Sequence, residues 1–130
     1  MRLIRVGVSA RRRLRRGDAG GTLKAFTVAG AKLSSQPASA TTTEFEFPGA
    51  SPAVSANGTA NAIVWAVENS NPAVLHAYAA TDLTRELYNS SQAAGGRDNF
   101  GAGNKFITPA IADGMVFVGT ENGVAIFGLL

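Results

Sequence analysis

The stretch that decides the fold is residues 108–128, TPAIADGMVFVGTENGVAIFG. Its Pro109 suits the first position of a strand, because no ladder donor is needed there. Asp113-Gly114 precedes a β-rich run, and such a pair between apolar segments favours a two-residue hairpin turn. Glu121-Asn122 then separates that run from a last apolar segment, which ends in Phe127. The stretch therefore predicts three short antiparallel strands.

The same pattern occurs earlier in the chain. Residues 51–54 (SPAV) match residues 108–111 (TPAI) position by position. Residues 63–69 (IVWAVEN) parallel residues 116–122 (VFVGTEN), with Ile63 aligned to Val116. A third element ends in an aromatic residue in each copy, and these aromatics lie 52 and 49 residues apart: Phe26, Tyr78 and Phe127. Self-similarity at a period of about 50 residues indicates a repeat architecture.

A complete unit has a fourth strand, predicted at residues 86–90. Four antiparallel strands in a unit of about 50 residues are typical of one blade of a β-propeller. The prediction is an all-β fold of about nine strands in antiparallel propeller blades, about two blades in a partial propeller. It divides the chain into an Arg-rich arm, 1–20, and a partial propeller, 21–130, with blade repeats starting near residues 51 and 108.

Residues 108–128 resemble the repeat of the pyrroloquinoline-quinone (quinoprotein) β-propellers. Residues 75–83 (LHAYAATDL) are similar to the third strand of that repeat. The resemblance covers about residues 22–130 and implies the C-terminal fragment of such a propeller, with an extracytoplasmic (periplasmic or secreted) parent. Residues 82–88 (DLTRELY) replace the Gly and Trp of the family's tryptophan-docking version. The family's adjacent-cysteine ring, calcium ligands and catalytic Asp are not matched. The resemblance thus implies a fold and not a quinone-dependent activity.

Charge is distributed unevenly along the chain. The net charge is +3, but residues 17–130 carry 5 basic and 9 acidic side chains, while seven arginines lie in residues 2–16. A basic arm suggests phosphate backbones or acidic membranes. It has no aromatic residue for base stacking, so we expect no nucleic-acid partner and interpret it as a disordered arm or a non-native start. No apolar run approaches a membrane span, and the N-terminus lacks a signal-peptide pattern.

Within the arm, Ile4, Val6 and Val8 alternate with other residues, which is strand-like. The last blade lacks its outer strand after Leu130. We expect residues 3–8 or residues 22–27 to fill that position.

Candidate catalytic groups are few. The chain has no cysteine and one histidine, His76. The corresponding repeat positions hold Lys24 and Ala125, so we expect His76 on an exposed strand position without a catalytic role. We expect the strand aromatics to be core residues, namely Trp65, Tyr78, Phe117 and Phe127. We assign no catalytic residue, no cofactor-binding residue and no metal ligand, and we expect no cofactor.

The Gly-rich segment 94–106 is the candidate ligand loop. Gly96 and Gly101 have the gap of a Walker loop, but Ala102 stands where that loop needs Lys. An inter-blade connection explains the glycines. Propeller-like folds bind through connecting loops, so the candidate ligand residues are its polar ones: Arg97, Asp98, Asn104 and Lys105.

The functional prediction is a non-catalytic propeller fragment that acts as a structural or binding module. One alternative is part of a quinoprotein dehydrogenase that is inactive in isolation. A weaker alternative is binding of nucleic acid or acidic surfaces by the arm. The expected partners are the missing propeller blades or a second copy, through exposed sheet edges; a membrane is not expected.

Overall fold

The computed structural model describes residues 3–8 and 20–128. These residues form eleven strands and two 3₁₀ helices of three residues each, Ser90–Gln92 and Ala94–Gly96. The strands are β1 Leu3–Val8, β2 Gly21–Ala29, β3 Lys32–Leu33, β4 Ser39–Phe45, β5 Ala53–Asn57, β6 Ala60–Glu68, β7 Val74–Ala79, β8 Glu86–Asn89, β9 Ala110–Ala112, β10 Met115–Gly119 and β11 Val124–Phe127. The all-β class is therefore confirmed.

The strands form three antiparallel sheets. Sheet A holds β1 to β4, with β2 paired to each of the other three. Sheet B has the order β5-β6-β7-β8, and sheet C the order β11-β10-β9. Sheet B contains the four predicted strands of the first unit, and sheet C contains three of the second. All three sheets are open within residues 3–8 and 20–128.

The hairpin predicted at Asp113-Gly114 is confirmed. Both residues have positive φ, 50° and 73°. They connect Ala112 to Met115, which pair directly. A two-residue turn with two positive φ angles matches the right-handed twist of the flanking strands, so β9 and β10 enter the sheet in a fixed register.

The register corrects the repeat alignment of the middle strand by one residue. Trp65 pairs with Ala53 and Ala77, and Phe117 pairs with Ala110 and Ile126. Trp65 is thus equivalent to Phe117, whereas the sequence alignment placed it opposite Val118. The reason is turn length. Five residues separate Glu68 from its partner Val74, but four separate Gly119 from Val124, so the two Glu-Asn pairs are not equivalent.

The three sheets stack face to face with sheet B in the middle. Val64, Ala66 and Tyr78 of sheet B pack against Leu23, Ala25 and Phe45 of sheet A. The opposite face of sheet B, which includes Val67 and Leu75, packs against Val116 and Val118 of sheet C. Two hydrophobic clusters therefore hold the stack together, one on each side of sheet B.

Equivalent faces are used at both interfaces. Val116 of sheet C corresponds to Val64 of sheet B, and each of the two points toward the preceding sheet. Leu23 of sheet A corresponds to Leu75 of sheet B in the repeat, and each of these points toward the following sheet. The sheets therefore follow one another in the same orientation.

Residues 3–8 form a strand, as their alternation predicted, but not in the predicted place. β1 pairs with β2 through all six of its residues, from Leu3 opposite Val28 to Val8 opposite Leu23. Residues 22–27 also lie in sheet A. Neither segment completes sheet C, so that part of the prediction is wrong. β3 and β4 pair with the other edge of β2, which is therefore the central strand of sheet A.

Candidate functional site

His76 lies on β7 and is only 5% exposed, so the expectation of an exposed histidine is wrong. Strand alternation turns its side chain toward sheet A, where Phe45 meets the imidazole edge-on with ring centroids 5.6 Å apart. The repeat alignment identified the correct strand position. It did not reveal that a neighbouring sheet covers this face.

Two carboxylates contact the His76 ring, one at each nitrogen. Nδ1 lies 2.5 Å from Oε1 of Glu86, and Nε2 lies 3.1 Å from Oε2 of Glu68. Each ring nitrogen therefore has a carboxylate oxygen within hydrogen-bond distance. The contacts join β6, β7 and β8 by side chains as well as by the ladder. Sequence analysis missed both glutamates because their proximity depends on strand register.

Tyr78 stacks on the same histidine, with centroids 5.8 Å apart and planes 7° from parallel. Its side chain is 1% exposed, and its hydroxyl has no hydrogen-bond partner among the described residues. Burial raises the pKa of Tyr78 to about 12. The nearby Thr43 hydroxyl lowers that pKa and the Glu86 carboxylate raises it, both by less than burial does. Neither group forms a hydrogen bond with the Tyr78 hydroxyl. The hydroxyl therefore stays neutral inside the A–B interface.

A cleft of about 540 Å³ opens between sheets B and C. A cavity of this size falls within the range of small-ligand pockets. Apolar side chains from both sheets form most of its walls. The lining residues are Ser55, Ile63, Trp65, Tyr88, Arg97, Asp98, Gly114, Val116, Ile126, Phe127 and Gly128.

The polar side of the cleft is a hydrogen-bonded triad. The Tyr88 hydroxyl donates to Oδ2 of Asp98 at 2.5 Å, and Nε and Nη2 of Arg97 donate to the same carboxylate at 2.7 and 3.1 Å. The Arg97 and Tyr88 hydrogen bonds lower the pKa of Asp98 to about 2. Burial and the Asp98 carboxylate raise the pKa of Tyr88 to about 12. Asp98 is thus ionised and Tyr88 neutral near pH 7.

The predicted ligand loop divides into two parts. Arg97 and Asp98 line the cleft, whereas Asn104 and Lys105 do not. The Lys105 ammonium lies 5.6 Å above the ring of Phe47, a cation–π contact. The four polar residues therefore do not converge on one point. Sequence analysis missed Tyr88 and Ser55 as cleft residues, since neither lies in the loop.

The glycines of the loop have structural roles. Gly101 has a φ of 88°, which favours glycine. A Cβ on Gly103 would lie 2.9 Å from the Cα of Asn69. The N–H of Gly103 donates to the Ser70 carbonyl, and the N–H of Ala73 donates to the Gly101 carbonyl. The loop is therefore fastened to the β6–β7 turn by close backbone contact.

The strand aromatics expected in the core show a range of burial. Tyr78 is fully buried. Trp65 and Phe127 are partly buried and pack against the B–C cluster, and Phe117 is half-buried. The Trp65 indole N–H donates to Oγ of Ser55 at 2.8 Å, so the one polar atom of the indole is satisfied beside the cleft.

Comparison with known proteins finds no matching family model, no matching curated protein and no matching solved structure. None of the helices in residues 20–128 is long and apolar enough to cross a bilayer. The described residues contain no group of three or more His, Cys, Asp or Glu side chains arranged to hold a metal ion.

Proposed function

We propose that this chain is a non-catalytic section of a β-propeller, from a quinoprotein-like parent, that works as a structural module binding further blade-like sheets. The observation that carries the proposal is the repeated use of the same sheet faces. Sheets A, B and C stack in one orientation, and each interface buries a face of one sheet against the opposite face of the next.

The outward face of sheet C is the next surface in this series. It carries Met115, Val124 and Ile126, whose side chains are 36%, 62% and 59% exposed. The equivalent face of sheet B, which includes Val67 and Leu75, is buried by sheet C. Exposed apolar surface in a patch is typical of an interaction site. A further sheet stacked in the same orientation would cover it.

The opposite end of the stack is the outward face of sheet A. There Lys24 and Phe26 alternate with the buried Leu23 and Ala25. Their equivalents in sheet B are His76 and Tyr78, which an adjoining sheet covers. The outward face of sheet A thus corresponds to one buried face of sheet B, and the outward face of sheet C to the other. Copies would therefore associate head to tail, which is a heterologous contact.

Engineered cysteines test this arrangement, because the chain has none of its own. Val124→Cys protein, carrying a size tag, is mixed with untagged Lys24→Cys protein and oxidised. Head-to-tail stacking predicts the mixed disulfide as the main product. Disulfides formed only between identical variants would contradict it.

A surface variant provides the control. Met115→Lys with Val124→Lys places two charges on the outward face of sheet C and keeps every backbone donor. We expect sedimentation velocity to show less self-association than in the unmodified chain at the same concentration. An unmodified chain that stays monomeric throughout would remove the basis of the proposal.

A further inference from the structure

One edge of sheet C lacks a strand that sheet B possesses. β11 is equivalent to β7, because each pairs in the same register with the middle strand of its sheet. β7 is covered on its other edge by β8, with His76 opposite Asn89 and Ala77 opposite Tyr88. Within residues 3–8 and 20–128, no strand takes the corresponding place beside β11.

The backbone groups on that edge can be assigned. The N–H of Thr120 donates to the Gly123 carbonyl at 2.8 Å, which makes this a hydrogen-bonded pair. Hydrogen-bonded and non-hydrogen-bonded pairs alternate along an antiparallel ladder. Ala125 and Phe127 therefore bond to β10, and the N–H and C=O groups of Val124 and Ile126 point outward. Outward groups of this kind form a template for strand addition.

The cleft between sheets B and C reaches this edge. Ile126 and Phe127 of β11 line it on one side, and Tyr88 of β8 with the Arg97–Asp98 pair lines it on the other. A strand beside β11 would direct alternate side chains toward sheet B, as Glu86 and Asn89 of β8 are directed toward sheet A. Those side chains would enter the cleft.

The chemistry of the missing strand follows from its neighbours. In sheet B the inward Glu86 is satisfied by His76. In sheet C the equivalent of His76 is Ala125 and that of Tyr78 is Phe127. An inward carboxylate would find no imidazole here, and the Arg97 guanidinium in the cleft is already paired with Asp98, so apolar side chains suit these positions. A second copy's β8, which carries Glu86 and Asn89 inward, does not fit.

We propose that the outer edge of β11 binds an extended segment of a different polypeptide as a fourth antiparallel strand. Its alternate apolar side chains, opposite Ala125 and Phe127, occupy the cleft beside Trp65 and Tyr88. This is β-strand addition, in which the main chain supplies affinity and the pockets supply selectivity. The inference uses the edge of sheet C and is independent of face-to-face stacking.

The probe is a dye-labelled hexapeptide of alternating Val and Thr, measured by fluorescence anisotropy with the full chain. Two further peptides carry N-methyl groups on alternate amides, one set in each phase. Only one set of alternate amides faces β11. We therefore expect the Kd of one N-methylated peptide to rise at least about tenfold and that of the other to stay within about twofold of the unmethylated peptide. Equal binding of the two N-methylated peptides would overturn the proposal.

Variants at Ile126 test the protein side. Ile126→Pro removes an outward N–H while leaving the β10 ladder, and Pro is tolerated on strand edges. Ile126→Thr makes a similar change of surface and keeps the N–H. We expect the Kd of the Pro variant to be about tenfold higher than that of the Thr variant, which measures the effect of changing the side chain separately. Equal affinities for the two would contradict strand addition.

If Ile126→Pro does not fold, as judged by the fluorescence of Trp65, the N-methylated peptides decide the question on the unmodified chain. If the unmodified chain forms a dimer that Ile126→Pro abolishes and Ile126→Thr keeps, and that dimer does not bind the peptide, the edge belongs to a second copy. That result would overturn the assignment to a different polypeptide.

Discussion

Nδ1 of His76 lies 2.5 Å from Oε1 of Glu86, and the opposite nitrogen of the same ring faces Glu68. A histidine in this position is a buried link between three strands. It also shows how the A–B interface tolerates charge. The two carboxylates contact opposite nitrogens of one imidazole ring, and their side chains remain 27% and 33% exposed.

Replacing this histidine removes the ring that lies between the two carboxylates. We expect His76→Leu to lower the free energy of unfolding by about 2 kcal/mol. That is below the range for a fully buried pair, since both carboxylates keep contact with water. Urea unfolding monitored by Trp65 fluorescence measures the change.

The double-mutant comparison isolates the electrostatic part of that cost. In a Glu68→Gln, Glu86→Gln background, His76→Leu no longer leaves two facing carboxylates, so the loss should fall below about 1 kcal/mol. An equal loss in both backgrounds would assign the effect to packing against Phe45 and Tyr78 alone.

The two tyrosines of the chain should ionise at a higher pH in the folded than in the unfolded protein. Tyr78 and Tyr88 have pKa values raised from 10.0 to about 12, in both cases mainly by burial. A raised folded pKa stabilises the folded chain below pH 10, and this stabilisation is lost as the pH rises toward 12. We expect tyrosinate absorbance to stay near zero at pH 10 in the folded protein.

The same titration in concentrated denaturant provides the reference. Both phenols should then ionise with a midpoint near the ordinary value of 10.0. Tyr88→Phe should halve the tyrosinate absorbance, and the remaining titration then belongs to Tyr78. Ionisation of Tyr78 near pH 10 in the folded state would contradict its burial, and ionisation of Tyr88 there would contradict its burial and its hydrogen bond to Asp98.

Asp98 should lose its proton at a lower pH in the folded than in the unfolded protein. Its pKa is lowered from 3.8 to about 2, first by Arg97 and then by Tyr88. A lowered folded pKa stabilises the folded chain above pH 3.8, and this contribution is lost as the pH falls toward 2. We expect the Asp98 carboxyl carbon, followed by NMR, to titrate below the ordinary aspartate value of 3.8.

Variants at Arg97 identify the cause of that shift. Arg97→Met removes the first donor and should move the midpoint of Asp98 upward, while Lys105→Met, on the other part of the loop, should leave it unchanged. A midpoint for Asp98 near 3.8 in the unmodified chain would show that the triad does not form in solution.

Local patterns in the sequence predicted most of the strands of sheets B and C but not their relations across sheets. Asp113-Gly114 determined its hairpin because the turn needs positive φ at two adjacent positions, a local property. The burial of His76 depended on a neighbouring sheet, and the equivalence of the Trp65 and Phe117 positions in the two units depended on turn length. The cleft was not predictable either, because Tyr88, Arg97 and Phe127 meet only through tertiary packing.

Gly103, in the Gly101-Ala102-Gly103 segment, lies against the backbone of Asn69, so its substitution should affect stability. A Cβ at Gly103 would contact the Asn69 backbone at 2.9 Å, which forces the loop away from the β6–β7 turn. We expect Gly103→Ala to lower the free energy of unfolding by about 1–3 kcal/mol through overpacking. The matched control is Gly123→Ala, where the nearest atom is 4.0 Å from the added Cβ and φ is not positive. That variant should change stability by less than about 0.5 kcal/mol. Equal melting temperatures for the two variants would show that the loop does not rest on Asn69.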